Sequence, residues 1–157
     1  MLDVRSTLQP GPASRYHVSL AVDDSEIREA QRLRYKVFAE EMGARLSSPL
    51  PRHDMDLYDP FCDHLLVREL VSGEVVGTYR ILSPEAAKRV GSYYSEQEFD
   101  LTRLNFLRPR MAELGRSCVH PAHRSGAVIA RLWMGLAEYM TRCGHQYIVG
   151  CASIGMA

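Results

Sequence analysis

Between Arg15 and Val22 the chain alternates, with Tyr16, Val18, Leu20 and Val22 on one side, a period of two that predicts a half-buried strand. The period then changes. Asp23 with Glu26 three residues on forms a capping pair, and Ile27, Ala30, Leu33, Val37 and Phe38 recur at helical spacing through EIREAQRLRYKVFAEEMGA, with Gly43 as its stop. Arg34, Phe38 and Glu41 fall on a neighbouring face of that helix. The segment SSPLPRHDMDLYDPFCD has three prolines, four aspartates and little periodicity, and predicts a long loop. His64–Leu70 and Val75–Leu82 are two apolar runs joined by Val-Ser-Gly-Glu, which predicts a hairpin turning at Gly73. Pro84–Val90 predicts a short helix, and YYSEQEFDLTRLNFLRPRMAEL one or two more. Arg116–Val119 predicts a strand running into a loop at Pro121. Val128–Cys143 places Ile129, Leu132, Trp133, Leu136 and Met140 on one side of a helix closed by Gly144, and Tyr147–Ala152 predicts a buried strand.

This order of elements predicts an α+β domain over residues 15–157 with a mixed sheet, preceded by a loose leader at 1–14. The closing strand–helix–strand unit requires a crossover and therefore a parallel pair. The last strand would form an open edge unless something covered it.

Composition narrows the class. At 157 residues, 46% hydrophobic and 24% charged, the chain has the make-up of one globular domain. Its 19 basic and 19 acidic residues cancel, which argues against a dedicated nucleic-acid binder. Only Lys36 and Lys88 are lysines; the arginine excess suits carboxylate or phosphate recognition, and equally reflects a GC-rich genome. No signal pattern opens the chain and no apolar run reaches membrane-spanning length. Cys62, Cys118, Cys143 and Cys151 are widely spaced without a CxxC pair, the pattern of free thiols in a reducing cytoplasm.

The chemistry concentrates in Glu113–Gly126, ELGRSCVHPAHRSG. Cys118 with His120 or His123 offers a thiol and a base, although a small buried cysteine is more commonly core. His120 and His123 with Cys62 or His64 offer zinc ligands, but lack the spacing of a helical zinc motif. Arg124, Ser125 and Gly126 directly precede a helix whose first N–H groups could receive an anion, or simply form a turn. Glu113 and Arg116 could work together as a carboxylate beside a cation or form a surface ion pair. Asp54, Asp56, Asp59 and Asp63 could meet a cation or solvate a loop, and they lack the calcium-loop spacing.

Taken in order, LRYKVFAEEMGA, DMDLYDPFCDHLLV, GEVVGTYRIL, GSYYSEQEFDL, ELGRSCVHPAHRSGAVIARLWMGLAEYM and YIVGCASI resemble the bacterial ornithine-acyl-ACP N-acyltransferases and related hemolysin-like sequences, over about residues 24–154. More distantly, the Arg-Tyr-x-Val-Phe helix, the acidic loop and Glu-x-x-Arg look like acyl-homoserine-lactone synthases. Both are variants of the GNAT fold. The resemblance implies transfer of a 3-hydroxyacyl group from acyl-carrier protein to the α-amine of ornithine, giving a lyso-ornithine lipid. It implies no metal and no cofactor beyond the carrier's phosphopantetheine thioester, and a cytoplasmic protein that visits the inner membrane peripherally. Glu113 and Arg116 become the catalytic candidates. Arg34, Phe38, Asp56, Asp59 and Arg80 become substrate-binding candidates: Arg116, Arg34 and Arg80 would form a charged network receiving the amino-acid carboxylate, and Asp56 and Asp59 would orient those arginines or meet ornithine's side-chain amine. Cys118 and Val119 would offer backbone N–H groups to the thioester, and Arg124, Ser125 and Gly126 would meet pantetheine phosphate.

Two departures from the family pattern bear on this. The GNAT cradle reads Arg/Gln-x-x-Gly-x-Gly/Ala, and counting from Arg124 its glycine positions hold Ala127 and Ile129. That suits a carrier-protein donor better than coenzyme A. The fold also continues past a strand equivalent to 147–152, so the chain is expected to be a C-terminally truncated member. A homoserine-lactone synthase and a non-catalytic carrier-binding fragment remain the alternatives.

Overall fold

Four antiparallel strands and one parallel partner make a sheet in the order β1-β2-β3-β4-β5 in the computed structural model, which describes residues 15–152. The expected leader at 1–14 lies outside the described residues. The strands are β1 (Tyr16–Leu20), β2 (Asp63–Glu69), β3 (Val75–Leu82), β4 (Met111–Val119) and β5 (Tyr147–Val149), with only the β4–β5 pair parallel. The helices are α1 (Asp24–Tyr35), α2 (Pro84–Val90) and α3 (Ala127–Cys143). The mixed sheet expected from the pattern is therefore present.

Each face of the sheet has its own cover. Tyr16, Val18, Leu65, Val67, Ile81, Ala112 and Leu114 alternate onto one face and bury against Val128, Leu132 and Leu136 of α3. Leu66, Val75 and Cys118 meet Ala30, Leu33 and Val37 from the α1 side. Helix α3 comes close because two glycines leave it room. A Cβ at Gly77 would stand 2.5 Å from Val128 Cγ1, and one at Gly135 would stand 2.8 Å from Val18 Cγ2.

The N-terminus of α1 follows the capping signal, with the Asp23 side chain accepting from Glu26 N–H at 3.0 Å and Glu26 Oε2 accepting from Val22 N–H at 2.9 Å. Its C-terminal part, Lys36–Glu41, widens into a π-helical turn before Gly43, at φ 72°, ends it. Such turns re-aim the side chains that follow them.

Four expectations need correction. In α3 the buried stripe is Val128, Leu132, Gly135, Leu136, Tyr139 and Met140, whereas Ile129 and Trp133 are 37% and 52% exposed. The helix is rotated by about one position so that Gly135, which has no side chain, packs against Val18 and Leu65. Strand β5 is three residues long, and Tyr147 and Ile148 are 37% and 48% exposed, because α3 packs over β1–β3 and leaves this outermost strand uncovered. Strand β4 begins at Met111, five residues earlier than expected, so Glu113 lies inside it opposite Leu82. The fourth correction is a bulge. Cys118 pairs with Thr78 and Gly115 with Arg80, leaving Arg116 and Ser117 together opposite Tyr79, with Arg116 at φ 52°. A non-glycine residue held there costs about 1–3 kcal/mol and tends to mark a functional position.

Candidate active site

Strands β4 and β5 pair only over Met111–Glu113 and Tyr147–Val149. The pairing ends there, although Gly150 still lies against the Leu114 carbonyl, and a cleft of about 740 Å³ opens along the unpaired edge of β4, with Glu113–Val119 as its floor. Phe38 and Met42 wall one side, Trp133 and Ile148 the other. Of the residues singled out from the sequence, Phe38, Arg80, Glu113, Arg116, Cys118, Val119 and Arg124 line this cleft. Arg34, Asp56, Asp59, Ser125 and Gly126 do not.

Glu113 is 5% exposed. Its Oε2 accepts from Tyr94 N–H at 2.7 Å and its Oε1 from Ser95 N–H at 2.6 Å. One bond per oxygen fixes the carboxylate while leaving further lone pairs for a donor in the cleft. Neither Tyr94 nor Ser95 stands out in the sequence, because the contact comes from two backbone amides.

Behind the cleft floor lies a neutral set of three guanidiniums and three carboxylates. Arg34 Nη2 donates to Asp59 Oδ1 and Oδ2 at 2.9 and 2.8 Å and also to the Asp54 carbonyl, and Arg34 Nε lies 3.0 Å from Asp54 Oδ2 as an ion pair. Arg80 Nη1 reaches Asp56 Oδ1 at 2.7 Å and Asp59 Oδ1 at 3.3 Å. Arg116 Nε and Nη2 stand 3.6 and 3.8 Å from Asp54 Oδ2 and Asp56 Oδ2. Burial opposes charge on Asp59, but Arg34 and then Arg80 outweigh it and hold its carboxyl below the ordinary range. Burial likewise opposes charge on Arg80, whose acidic neighbours, Asp56 first, nevertheless raise it. Burial keeps His64 below its usual value, so the ring beneath the set is neutral at neutral pH.

This arrangement corrects the expected substrate contact of Arg34, and of the two roles expected for Asp59 it favours orienting the arginines. Both side chains are 1% exposed and bonded to one another, so they position their neighbours instead of meeting a ligand. Asp56 is turned mainly to Arg80. Asp54 is the member that sequence reasoning did not single out from the acidic loop. It anchors both Arg34 and Arg116, and nothing in the loop's spacing marks it apart from its neighbours.

Arg116 differs from the other two arginines. Its guanidinium lies between the rings of Phe38 and Tyr94, with centroids at 5.8 and 6.0 Å, and its side chain is 28% exposed.

On the donor side, the His120 N–H bonds the Val76 carbonyl of β3 at 2.8 Å. By the alternation of antiparallel pairing, the Val119 N–H points the other way, toward the open edge, and the Cys118 N–H points to β3. Val119, not Cys118, therefore offers the amide. Burial pushes the Cys118 thiol up to about 12, which removes it as a nucleophile. The Arg124 guanidinium is engaged bidentately by Glu41 at 2.6 and 2.7 Å, and Gly126, at φ 94°, N-caps α3 without a side-chain bond. His120 Nε2 stands 2.7 Å from Lys36 Nζ and His123 Nδ1 stands 3.1 Å from Tyr16 Oη. Among the described residues no group of three or more His, Cys, Asp or Glu is placed to hold a metal ion. No helix of the described residues is long and apolar enough to cross a membrane.

Known proteins share this architecture. The L-ornithine N(alpha)-acyltransferase of Rhodobacter capsulatus is 42% identical over 147 residues, covering 88% of this chain and 56% of that protein. The protein of the same name from Brucella abortus is 40% identical over 152 residues, covering 91% and 54%. The chain thus spans about half the length of the curated relatives it matches. Among solved structures, the AHL synthase LasI superposes with a TM-score of 0.64 at 22% identity, covering 88% of this chain and 72% of that one. The CoA-dependent acyl-homoserine lactone synthase BjaI, with SAM and isopentyl-CoA, gives 0.64 at 23%, covering 88% and 66%. These structural likenesses establish the fold. The family model described as "Acetyltransferase (GNAT) domain" matches residues 33–134, well over half of the sequence, and the chain belongs to that acyltransferase family.

Proposed function

We propose that this domain carries the acyl-transfer centre of an ornithine Nα-acyltransferase. It moves a 3-hydroxyacyl group from the phosphopantetheine thioester of acyl-carrier protein to the α-amine of L-ornithine, giving a lyso-ornithine lipid. The observation that carries the reading is the fixed Glu113 carboxylate opening onto the cleft beside Arg116, in a chain 42% identical to a protein named for this activity.

A thioester is already activated, so the protein has to supply three things: a neutral amine, its alignment, and stabilisation of the oxyanion. Glu113 takes a proton from the acceptor's ammonium. The freed amine attacks the thioester carbonyl, forming the C–N bond, and the Val119 N–H donates to the oxyanion. Collapse breaks the C–S bond, and the proton lost by the amine neutralises the departing thiolate. No further cofactor enters this sequence. Ala127 and Ile129, in place of the cradle's glycines, support a carrier-protein donor over coenzyme A. Release of an amphiphilic product makes a peripheral visit to the inner membrane part of the same proposal.

The test is the full-length protein supplied with 3-hydroxyacyl-carrier protein and L-ornithine, with lipid extracts of an expressing host analysed in parallel. N-acyl-ornithine is the expected product, and its absence from both overturns the reading. Equal turnover of acyl-CoA removes the donor assignment. Consumption of S-adenosylmethionine moves the chain to the homoserine-lactone chemistry. Glu113→Gln should lower turnover far more than donor binding; unchanged turnover removes Glu113 from its role.

A further inference from the structure

Three arginines stand around the cleft floor, and they differ in how far their guanidiniums are exposed to it. Arg34 and Arg80 have side chains 1% and 6% exposed and meet carboxylate oxygens at 2.7–3.0 Å. Arg116 is 28% exposed and lines the cleft, and its contacts to Asp54 and Asp56 are, at 3.6 and 3.8 Å, too long for hydrogen bonds. Among the described residues its guanidinium makes no hydrogen bond at all. Its guanidinium carbon stands 5.8 Å from the Phe38 ring centroid and 6.0 Å from that of Tyr94, contacts that leave its N–H groups unpaired and able to bind.

Tyr94 ties this group to Glu113. Its ring flanks Arg116, while its backbone N–H holds Glu113 Oε2 at 2.7 Å. An α-amino acid carries its amine and carboxylate on one carbon, so the two groups that receive them must stand side by side. Charge points the same way. Arg34, Arg80 and Arg116 face Asp54, Asp56, Asp59 and Glu113, three against four, which leaves the floor with one negative charge in excess. A diamino acid, with two ammonium groups and one carboxylate, brings the opposite excess.

We infer that Arg116, clamped between Phe38 and Tyr94, receives the α-carboxylate of the acceptor, and that the cleft thereby selects an α-amino acid over a simple amine. The inference deepens the acyl-transfer reading above and rests on it. Phe38 and Tyr94 are positioning residues: their rings hold the guanidinium and act on the carboxylate only through it.

The decisive comparison sets L-ornithine against 1,4-diaminobutane, which is ornithine without its carboxylate, in the full-length protein. Wild type should prefer ornithine. Arg116→Gln should lower kcat/KM for ornithine on the order of 30-fold more than that for 1,4-diaminobutane, the size of one lost charge-assisted pair. Tyr94→Ala should raise KM for ornithine with little change in KM for the acyl donor, and Tyr94→Phe should restore it. Equal losses on both acceptors, or a wild type indifferent between them, overturn the inference. Should the wild type acylate neither amine, the functional reading falls on its own. Calorimetric titration of ornithine into wild type and Arg116→Gln then still decides this one, with unchanged affinity as the refuting result.

Discussion

Asp59→Asn is the most direct probe of the ion set beneath the cleft. The replacement keeps size and shape and removes one charge. In the folded chain that carboxylate accepts two bonds from Arg34 at 2.9 and 2.8 Å, one from the Asp56 N–H at 3.0 Å, and faces Arg80 at 3.3 Å. Its side chain and that of Arg34 are each 1% exposed, so solvent cannot take over the lost interaction. Removing one partner of a buried pair leaves the other charge uncompensated, at a cost of about 3–5 kcal/mol. By contrast, Glu96→Gln, at the half-buried pair with Arg108, should stay within about 1 kcal/mol. Urea unfolding followed by circular dichroism measures both. The pH dependence gives an independent check. Because Asp59's carboxyl is lower in the folded chain than in the unfolded one, its stabilisation is complete above the unfolded value of about 4 and is lost as pH falls through the folded value. The Asn variant should therefore lose less stability than wild type on acidification below about pH 4. A loss under about 1 kcal/mol at pH 7, or parallel curves for the two proteins, would refute the account of the set as a buried charge network.

Gly77→Ala should destabilise by about 1–3 kcal/mol, because the new methyl meets Val128 Cγ1 at 2.5 Å in a packed core, whereas Gly115→Ala finds nothing within 4 Å and should be neutral or slightly stabilising. Thermal unfolding of the two variants separates them. Alkylation of the native protein by iodoacetamide, followed by mass spectrometry, should label exposed Cys151 well before Cys118, whose thiol is both buried and pushed up to about 12; early modification of Cys118 would contradict its place under α1.

The features legible in the sequence are those set by a local period. Tyr16, Val18 and Leu20 alternate, Gly73 turns the hairpin at φ 74°, and Asp23 caps α1 as its position suggests. What the pattern hides depends on partners far along the chain. Arg34 sits on the polar side of the helical wheel, yet it is 1% exposed because Asp54 and Asp59, at least 20 residues on, neutralise it. The apolar period misses the phase of α3 because Gly135, which contributes nothing to an apolar stripe, is a residue the helix packs against Val18 and Leu65. Glu113 reads as a residue before a strand, since a glutamate between Ala112 and Leu114 is a poor strand signal. It sits within β4 because its carboxylate is satisfied by the amides of Tyr94 and Ser95. The sequence puts the site candidates forward as one group, and their division into buried positioning residues and cleft-facing ones needs three dimensions.

That division is sharpest at Arg116, where backbone and side chain pull in opposite directions. The bulge opposite Tyr79 forces φ to 52°, a region that suits glycine, yet the position carries an arginine held by two rings and two distant carboxylates. Replacing it by alanine and by glycine removes the same guanidinium, so the difference between the two variants isolates the backbone. In an ordinary strand the glycine variant would be the less stable by roughly 0.5–1 kcal/mol. Here the order should invert, with glycine more stable than alanine by about 1 kcal/mol or more, because only alanine pays for the left-handed conformation. Chemical denaturation of the pair measures it, and an alanine variant as stable as the glycine one would show that the backbone at 116 is not strained. If the inversion holds, the chain tolerates at this one residue a conformation that glycine would relieve. The guanidinium that glycine lacks is then the reason for the strain, as expected of a group that must face a ligand instead of its own fold.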